Sequence, residues 1–407
     1  MIEFLPLLIS GFISYFAVMI IWIFFPTHKL PKRWIWLSAT TLFFLSLALS
    51  WFTENFAASW VFIEASTLFG ALLISSSGTV KSSRIAWKFL VINSYGLGIS
   101  FLGLILVSFS GGSDGSLNIY ALKQVQFSTG PIVNLGLTLA IYGYTAKMGL
   151  WPNHFWVGDT YGESPTQVSS LIASLIPVTV ALVLRELVAI DRIWNPSIFS
   201  ARLLLPILGS ATCLHSIWML YQRNDIRRIA AKIALFHTGA LAWIIWMEIP
   251  FSIFLYILVG TVLLKTLVFL TMGILRIEAG SKYLEQIFRL SEINKKVKIL
   301  YFASLFFAFA FPVSPAFLTD FLIIKLSIQS KMYLNLLIPF LSLIFFSLLV
   351  SKVYNIWAIE DSKQIKYSEH KLINGRLAIV SILFLLIIGW GIYGIMNLEL
   401  VGELYGI

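Results

Sequence analysis

The chain has 407 residues, 58% of them hydrophobic and 12% charged, with a mean hydropathy of +0.88. Apolar runs of about twenty residues recur along its whole length, each long enough to cross a bilayer; this excludes a soluble globular domain, and the lack of period-two alternation excludes a membrane barrel. The net charge of +10 is read through the cytoplasmic bias of Lys and Arg in membrane proteins, so no nucleic-acid partner is expected.

In chain order, the hydropathy predicts spans at about 4–26, 34–52, 57–77, 86–109, 132–157, 164–184, 202–220, 229–248, 251–275, 299–329, 334–357 and 377–397. That is an all-α polytopic membrane protein of about twelve transmembrane helices. Met1 to Pro26 reads as a full span, without the basic start or small-residue cleavage site of a signal peptide. The lone cysteine, Cys213, can form no intrachain disulfide and cannot ligate a cluster alone. It reads as a small buried hydrophobe.

Lys and Arg cluster after the odd-numbered spans: Lys29, Lys32 and Arg33; Lys81, Arg84 and Lys88; Arg223, Arg227 and Arg228; Arg276, Lys282, Arg289, Lys295, Lys296 and Lys298; Lys363, Lys366, Lys371 and Arg376. The other set is sparse: Lys123, Arg185, Arg192, Arg202 and Lys331. The odd exits are therefore expected in the cytoplasm, with both termini on the outer side of a cytoplasmic (inner) membrane. One connection, 158–163, carries only Asp159 and Glu163 and gives no orientation signal. Arg185 is expected to mark a membrane boundary, and Lys88, Lys325 and Lys352 to snorkel from span ends.

Two spans are long and interrupted. In 132–157, Lys147 is followed by Gly149 and Pro152; in 299–329, Pro312 and Pro315 precede Asp320. Proline and glycine loosen a helix at such points. Paired broken helices point to a pseudo-symmetric inverted repeat with its site at the breaks. The expected division is 1–56 as N-terminal helices and 57–184 as a first half-channel repeat. A second repeat would follow over 185–357, and 358–407 would hold a cytoplasmic loop and the last helix.

Five polar side chains fall deep inside spans: Glu64, Lys147, His237, Lys265 and Asp320. Left unpaired, the four that are normally charged would cost roughly 10–14 kcal/mol together, which rivals the whole stability of a typical domain. They must pair, neutralise or meet water. A Glu–Lys pair that forms and separates can load and release a proton, and a histidine can relay one. Plainer roles are open beside these. Glu64 and Lys147 could be a static ion pair, His237 could hydrogen-bond a neighbouring helix, and Asp320 could cap the second half-helix.

The segment KMGLWPNHFWVGDTYGESPTQVSSLIAS resembles the motif K-x-G-x-x-P-x-H-x-W-L-P-D-A-x-x-E-A-P-[ST]-P-V-S-A-L-L-S. That motif belongs to the antiporter-like membrane subunits of respiratory complex I, group 4 membrane-bound hydrogenases and Mrp-type antiporters. SRIAWKFLVINSYGLGISFLGLILV and QRNDIRRIAAKIALFHTGAL look most like the hydrogenase-4 component F branch. The resemblance spans roughly 55–330 and implies an antiporter-like fold lacking two N-terminal helices of the family's fourteen-helix core. By that resemblance Glu64 is the acid paired with the broken-helix lysine, Lys147. Lys265 and His237 belong to the central axis, and Asp320 to the second break. Three positions depart from the pattern: the second break reads FPVSPAFLTD, Pro177 stands where relatives often place a lysine, and Phe236 replaces an acid beside His237.

The function implied is proton translocation, with sodium as the other cation, by one subunit of a complex-I-like or hydrogenase-like oxidoreductase complex. The alternatives are an Mrp-type antiporter subunit or the membrane subunit of an inorganic-carbon uptake system. The chain itself has neither a cysteine cluster nor a glycine-rich nucleotide loop, so redox cofactors are expected in partner subunits. The other partners are membrane subunits of the same complex and lipids.

Overall fold

The computed structural model describes residues 2–24, 33–110, 116–124, 130–195, 200–222, 225–289, 294–309, 311–357 and 370–404. Lys29, Lys32, Arg223, Lys363 and Lys366 lie outside the described residues, as do most of the expected cytoplasmic loop and the side chains of Arg33, Arg289 and Lys371. The helices run α1 (Leu5–Phe24), α2 (Arg33–Trp51), α3 (Phe56–Ile74), α4 (Val80–Ser110), α5 (Ile119–Gln124), α6 (Pro131–Met148), α7 (Phe155–Glu163) and α8 (Thr166–Trp194). They continue as α9 (Leu204–Gln222), α10 (Ile226–Met247), α11 (Phe251–Ala279), α12 (Leu284–Arg289), α13 (Lys295–Phe307), α14 (Pro315–Gln329), α15 (Leu337–Trp357) and α16 (His370–Leu404). Among the described residues, ten helices are long and apolar enough to span a membrane. The two interrupted segments, α6 with α7 and α13 with α14, stand apart from these ten.

Backbone polar groups in lipid must be satisfied within the chain, which is why the apolar runs close as helices. The middle of the bundle is α8, α10 and α11: 94% of the most apolar stretch of α11 is buried, against 28% for α16 at the rim. Small residues set how closely helices approach. At Gly103 on α4 a Cβ would lie 2.3 Å from the backbone nitrogen of Ala140 on α6, so only glycine allows this crossing.

Two expectations change. Residues 158–163, expected as a connection, belong to helix α7 (Phe155–Glu163). The sixth expected span, 164–184, continues as helix to Trp194, so Arg185 lies inside α8. Its guanidinium donates to Ile249 O at 2.9 Å and stacks over the rings of Phe251 and Phe254. The tip of the next hairpin supplies acceptor and aromatic faces, so the arginine stays inside the helix.

The acids of α7 explain the uninformative connection. Lys81 pairs with Glu163 at 2.9 Å and Lys282 with Glu163 at 3.4 Å and Asp225 at 3.6 Å. Asp159 takes Lys88 at 2.7 Å and Arg228 at 3.8 Å. Residues that follow the third, fifth, seventh and ninth expected spans thus meet on one face, and the two acids there offset basic side chains from the other connections. Lys88, near the start of α4, is ion-paired there. Lys352 donates to the backbone carbonyls of Leu220 and Tyr221 at the end of α9, where an ammonium suits the negative end of a helix.

Candidate functional site: two broken helices and a buried polar axis

The first break follows from its sequence. Gly149 closes α6 in the left-handed region, at φ 88°, and its N–H and that of Leu150 return to Thr145 O. A residue with a Cβ would be strained there. Pro152 lies in the turn that follows, and α7 restarts at Phe155. The second break spans 308–314, with Pro312 inside it and Pro315 as the first residue of α14. Its cap is Ser314, whose Oγ accepts from Phe317 N at 3.0 Å. Asp320 lies beyond the first turn of α14 and is not its cap.

Lys147, 0% exposed, sits in the last turn of α6 just before that break. Its ammonium donates to Thr67 Oγ1 at 2.7 Å and lies 5.3 Å from the centre of the Phe89 ring. Thr67 Oγ1 is 3.3 Å from both Glu64 Oε2 and Ile63 O, and Ser94 Oγ donates to Glu64 Oε1 at 2.5 Å. Glu64 and Lys147 are thus brought together, but a hydroxyl stands between them in place of a direct ion pair. Thr67 occupies this place because it is three residues on from Glu64, on the same helix face.

The same device recurs in the second half. Lys265, 1% exposed on α11, donates to Thr238 Oγ1 of α10 at 3.0 Å. His237, the residue before Thr238, places Nε2 2.9 Å from Ala308 O, at the end of α13 where the helix breaks. His237 therefore hydrogen-bonds a neighbouring helix and ties α10 to α13. His237 and Asp320 line one cavity of about 50 Å³, which has room for a few water molecules. Ser342 of α15 lines the same cavity.

The two clusters are not joined directly. Among the described residues no side-chain hydrogen bond crosses α8 from Lys147 to Lys265. Pro177, inside α8 and buried, lacks the N–H that Ala173 O would otherwise receive, so the helix there offers a backbone acceptor. Phe236 packs with Phe309 and Phe345, ring centres 5.7 and 5.0 Å away. Phe236 thus belongs to a buried aromatic cluster. Cys213 is fully buried.

Sequence reasoning missed Thr67, Ser94, Thr238, Ser342 and Lys232, the last 5% exposed on α10. Helical spacing from Glu64 could have found Thr67. No sequence signal pairs Ser94 with Glu64 or sets Ser342 in one cavity wall with Asp320, because each lies on a different helix.

The chain is similar to known proteins over most of its length. It is 29% identical over 210 residues to the hydrogenase-4 component F homolog of Methylacidiphilum infernorum (isolate V4), covering 50% of this chain and 43% of that one. It is 26% identical over 322 residues to NADH-quinone oxidoreductase subunit N of Pelagibacter ubique (strain HTCC1062), covering 75% and 65%. The matched stretch thus spans about half to two thirds of these relatives. The fold superposes on a chain of the membrane-bound sulfane sulfur reductase, an archaeal respiratory membrane complex. The TM-score is 0.80 with 17% identity, over 98% of this chain and 81% of that one. The family profile described as NADH:quinone oxidoreductase/Mrp antiporter, TM, matches residues 53–347, and the chain belongs to that family of antiporter-like membrane proteins.

Proposed function

We propose that this chain is an ion-translocating subunit of a complex-I-like or hydrogenase-like membrane complex, and that its ion is the proton. The observation that carries this reading is the fully buried ammonium of Lys147, linked through Thr67 to the carboxylate of Glu64 beside a broken helix. A charged group in that place is expensive, and its surroundings let it gain or lose an opposite charge by small movements. A neighbouring subunit shifts the Glu64–Thr67–Lys147 group, and the proton affinity of Lys147 changes with the distance to Glu64. The proton then passes by way of Lys265 and His237 to Asp320 and out. The cavity between His237 and Asp320, with room for a few water molecules, supports the last step; the passage across α8 requires movement or water at Pro177. Proton is favoured over sodium on this axis because Glu64 and Asp320 stand apart, not in a carboxylate cluster.

The redox chemistry and its cofactors belong to partner subunits in this reading. The face of α7 lies in the cytoplasm and the chain's termini lie outside, as the distribution of Lys and Arg indicates. Reconstituting the complex with Lys147→Ala tests the proposal. Ion pumping per electron transferred should fall while electron transfer persists; undiminished pumping would overturn it. The protein that co-purifies separates the energy sources. An iron–sulfur or nickel–iron subunit marks an electron-driven complex, and further antiporter subunits alone mark one driven by an ion gradient.

A further inference from the structure

A second polar site lies on the opposite face from α7. A cavity of about 260 Å³ opens among the N-terminal turn, the α2–α3 turn, α5 and α8. Glu3, Glu54 and Glu186 line it, with Lys123 as the one basic residue of the lining. Lys123 pairs with Glu186, and among the described residues neither Glu3 nor Glu54 forms an ion pair. The lining is therefore acidic in a chain whose net charge is +10.

Ser59, on α3, also lines this cavity. It is 2% exposed and its Oγ has no hydrogen-bond partner. A buried hydroxyl left without a partner is costly, and a hydroxyl in the wall of an acidic cavity is suited to complete the shell of a small cation. Ser59 is five residues before Glu64 on the same helix, about 7.5 Å along the axis. The cavity thus reaches one and a half turns short of the acid that contacts Thr67 and Ser94.

We infer that this cavity is a cation vestibule, which admits a hydrated monovalent cation, hydronium or sodium, from the face bearing the N-terminus to Ser59. It gives the first half of the molecule its own access from that face, separate from the route through Asp320. The inference does not depend on Lys147 carrying a proton, and its test reads no pumping.

The test uses the full chain in native membranes with Cys213→Ala, which leaves it free of cysteine, and Ser59→Cys. Membrane-impermeant thiosulfonate reagents, one cationic and one anionic, are applied from the N-terminal face, and each rate is divided by that for a free thiol in solution. A cleft of one charge sign concentrates the opposite sign by about tenfold or more. The cationic reagent should therefore react at least tenfold faster, and Glu3→Gln with Glu54→Gln should bring the ratio towards one. Where Ser59→Cys does not accumulate, Ser50→Cys on the facing wall replaces it. Equal rates, no labelling at either position, or a ratio unmoved by neutralising the two glutamates would overturn the vestibule. Slowing of the reaction by sodium at constant pH identifies sodium as the occupant, and a rate indifferent to sodium at constant pH identifies the proton.

Discussion

A lysine ammonium away from water must find its hydrogen bonds within the protein, and Lys147 finds one in Thr67. The hydroxyl also faces Glu64, so it can hand the acid's influence to the base across a gap that excludes direct contact. A hydrogen bond to a charged group is worth about 1.5–3 kcal/mol, about tenfold or more in an equilibrium. Thr67→Val keeps the shape and removes the hydroxyl. It should lower ion transport by about tenfold or more, while Thr67→Ser should keep most of it; equal transport by the two variants in reconstituted vesicles would show that the bridge is not used. Lys265 and Thr238 repeat the arrangement without a carboxylate beside the threonine.

Helices in this fold are set by where they are interrupted and how closely they cross. Gly149 and Pro152 end α6 beside Lys147, and Ser314 with Pro315 restarts the second broken helix before Asp320. Each break leaves backbone groups at membrane depth, and the molecule satisfies them with side chains: His237 takes Ala308 O, and Thr212 Oγ1 accepts from Trp151 N at 2.9 Å. The crossing of α4 and α6 carries Lys147 towards α3. Gly103→Val would drive a side chain into the Ala140 backbone. It should destabilise the protein by about 1–3 kcal/mol and lower its thermal midpoint in detergent; a midpoint equal to that of the parent would show that the two helices do not cross so closely.

For the whole molecule, the ion-pair network at the α7 face joins the connections of both halves. Glu163 is its hub. Burial alone would raise its pKa, but the hydrogen bond from Lys81 and the charges of Lys282, Lys81 and Arg227 together hold it below its ordinary value near 4.5. A carboxylate whose pKa is lower folded than unfolded adds stability above the unfolded value, and that stability is lost as pH falls through the folded one. Stability of the purified protein should therefore decline below about pH 4.5, and Glu163→Gln should be less stable at neutral pH with a shallower acid decline. An acid decline of the same depth in the variant would remove Glu163 from that role. The orientation is checked by N-terminal fusions: a reporter active only outside the cytoplasm should work there, and one active only in the cytoplasm should not. The reverse pattern would invert the topology and place the acidic cavity inside.

The sequence by itself determined the class of the protein, most of its helices, both breaks and the burial of Lys147 and Lys265. Each of these is written in local chemistry: runs of apolar side chains, glycine or proline at a turn, a charge where lipid forbids one. The family likeness rested on such local motifs, above all the one around Lys147. Only the tertiary structure decided what each group touches. It put Thr67 between Glu64 and Lys147, tied His237 to the broken α13, set Asp320 and Ser342 in the wall of one cavity with His237 and left α8 as a gap between the two lysines. It also gathered Glu3, Glu54 and Ser59 around one cavity. These contacts join helices far apart in the chain, and their partners are threonines and serines. In lipid-buried helices such residues commonly satisfy themselves on their own backbone, so they leave no hydropathy signal until packing brings a charge within reach.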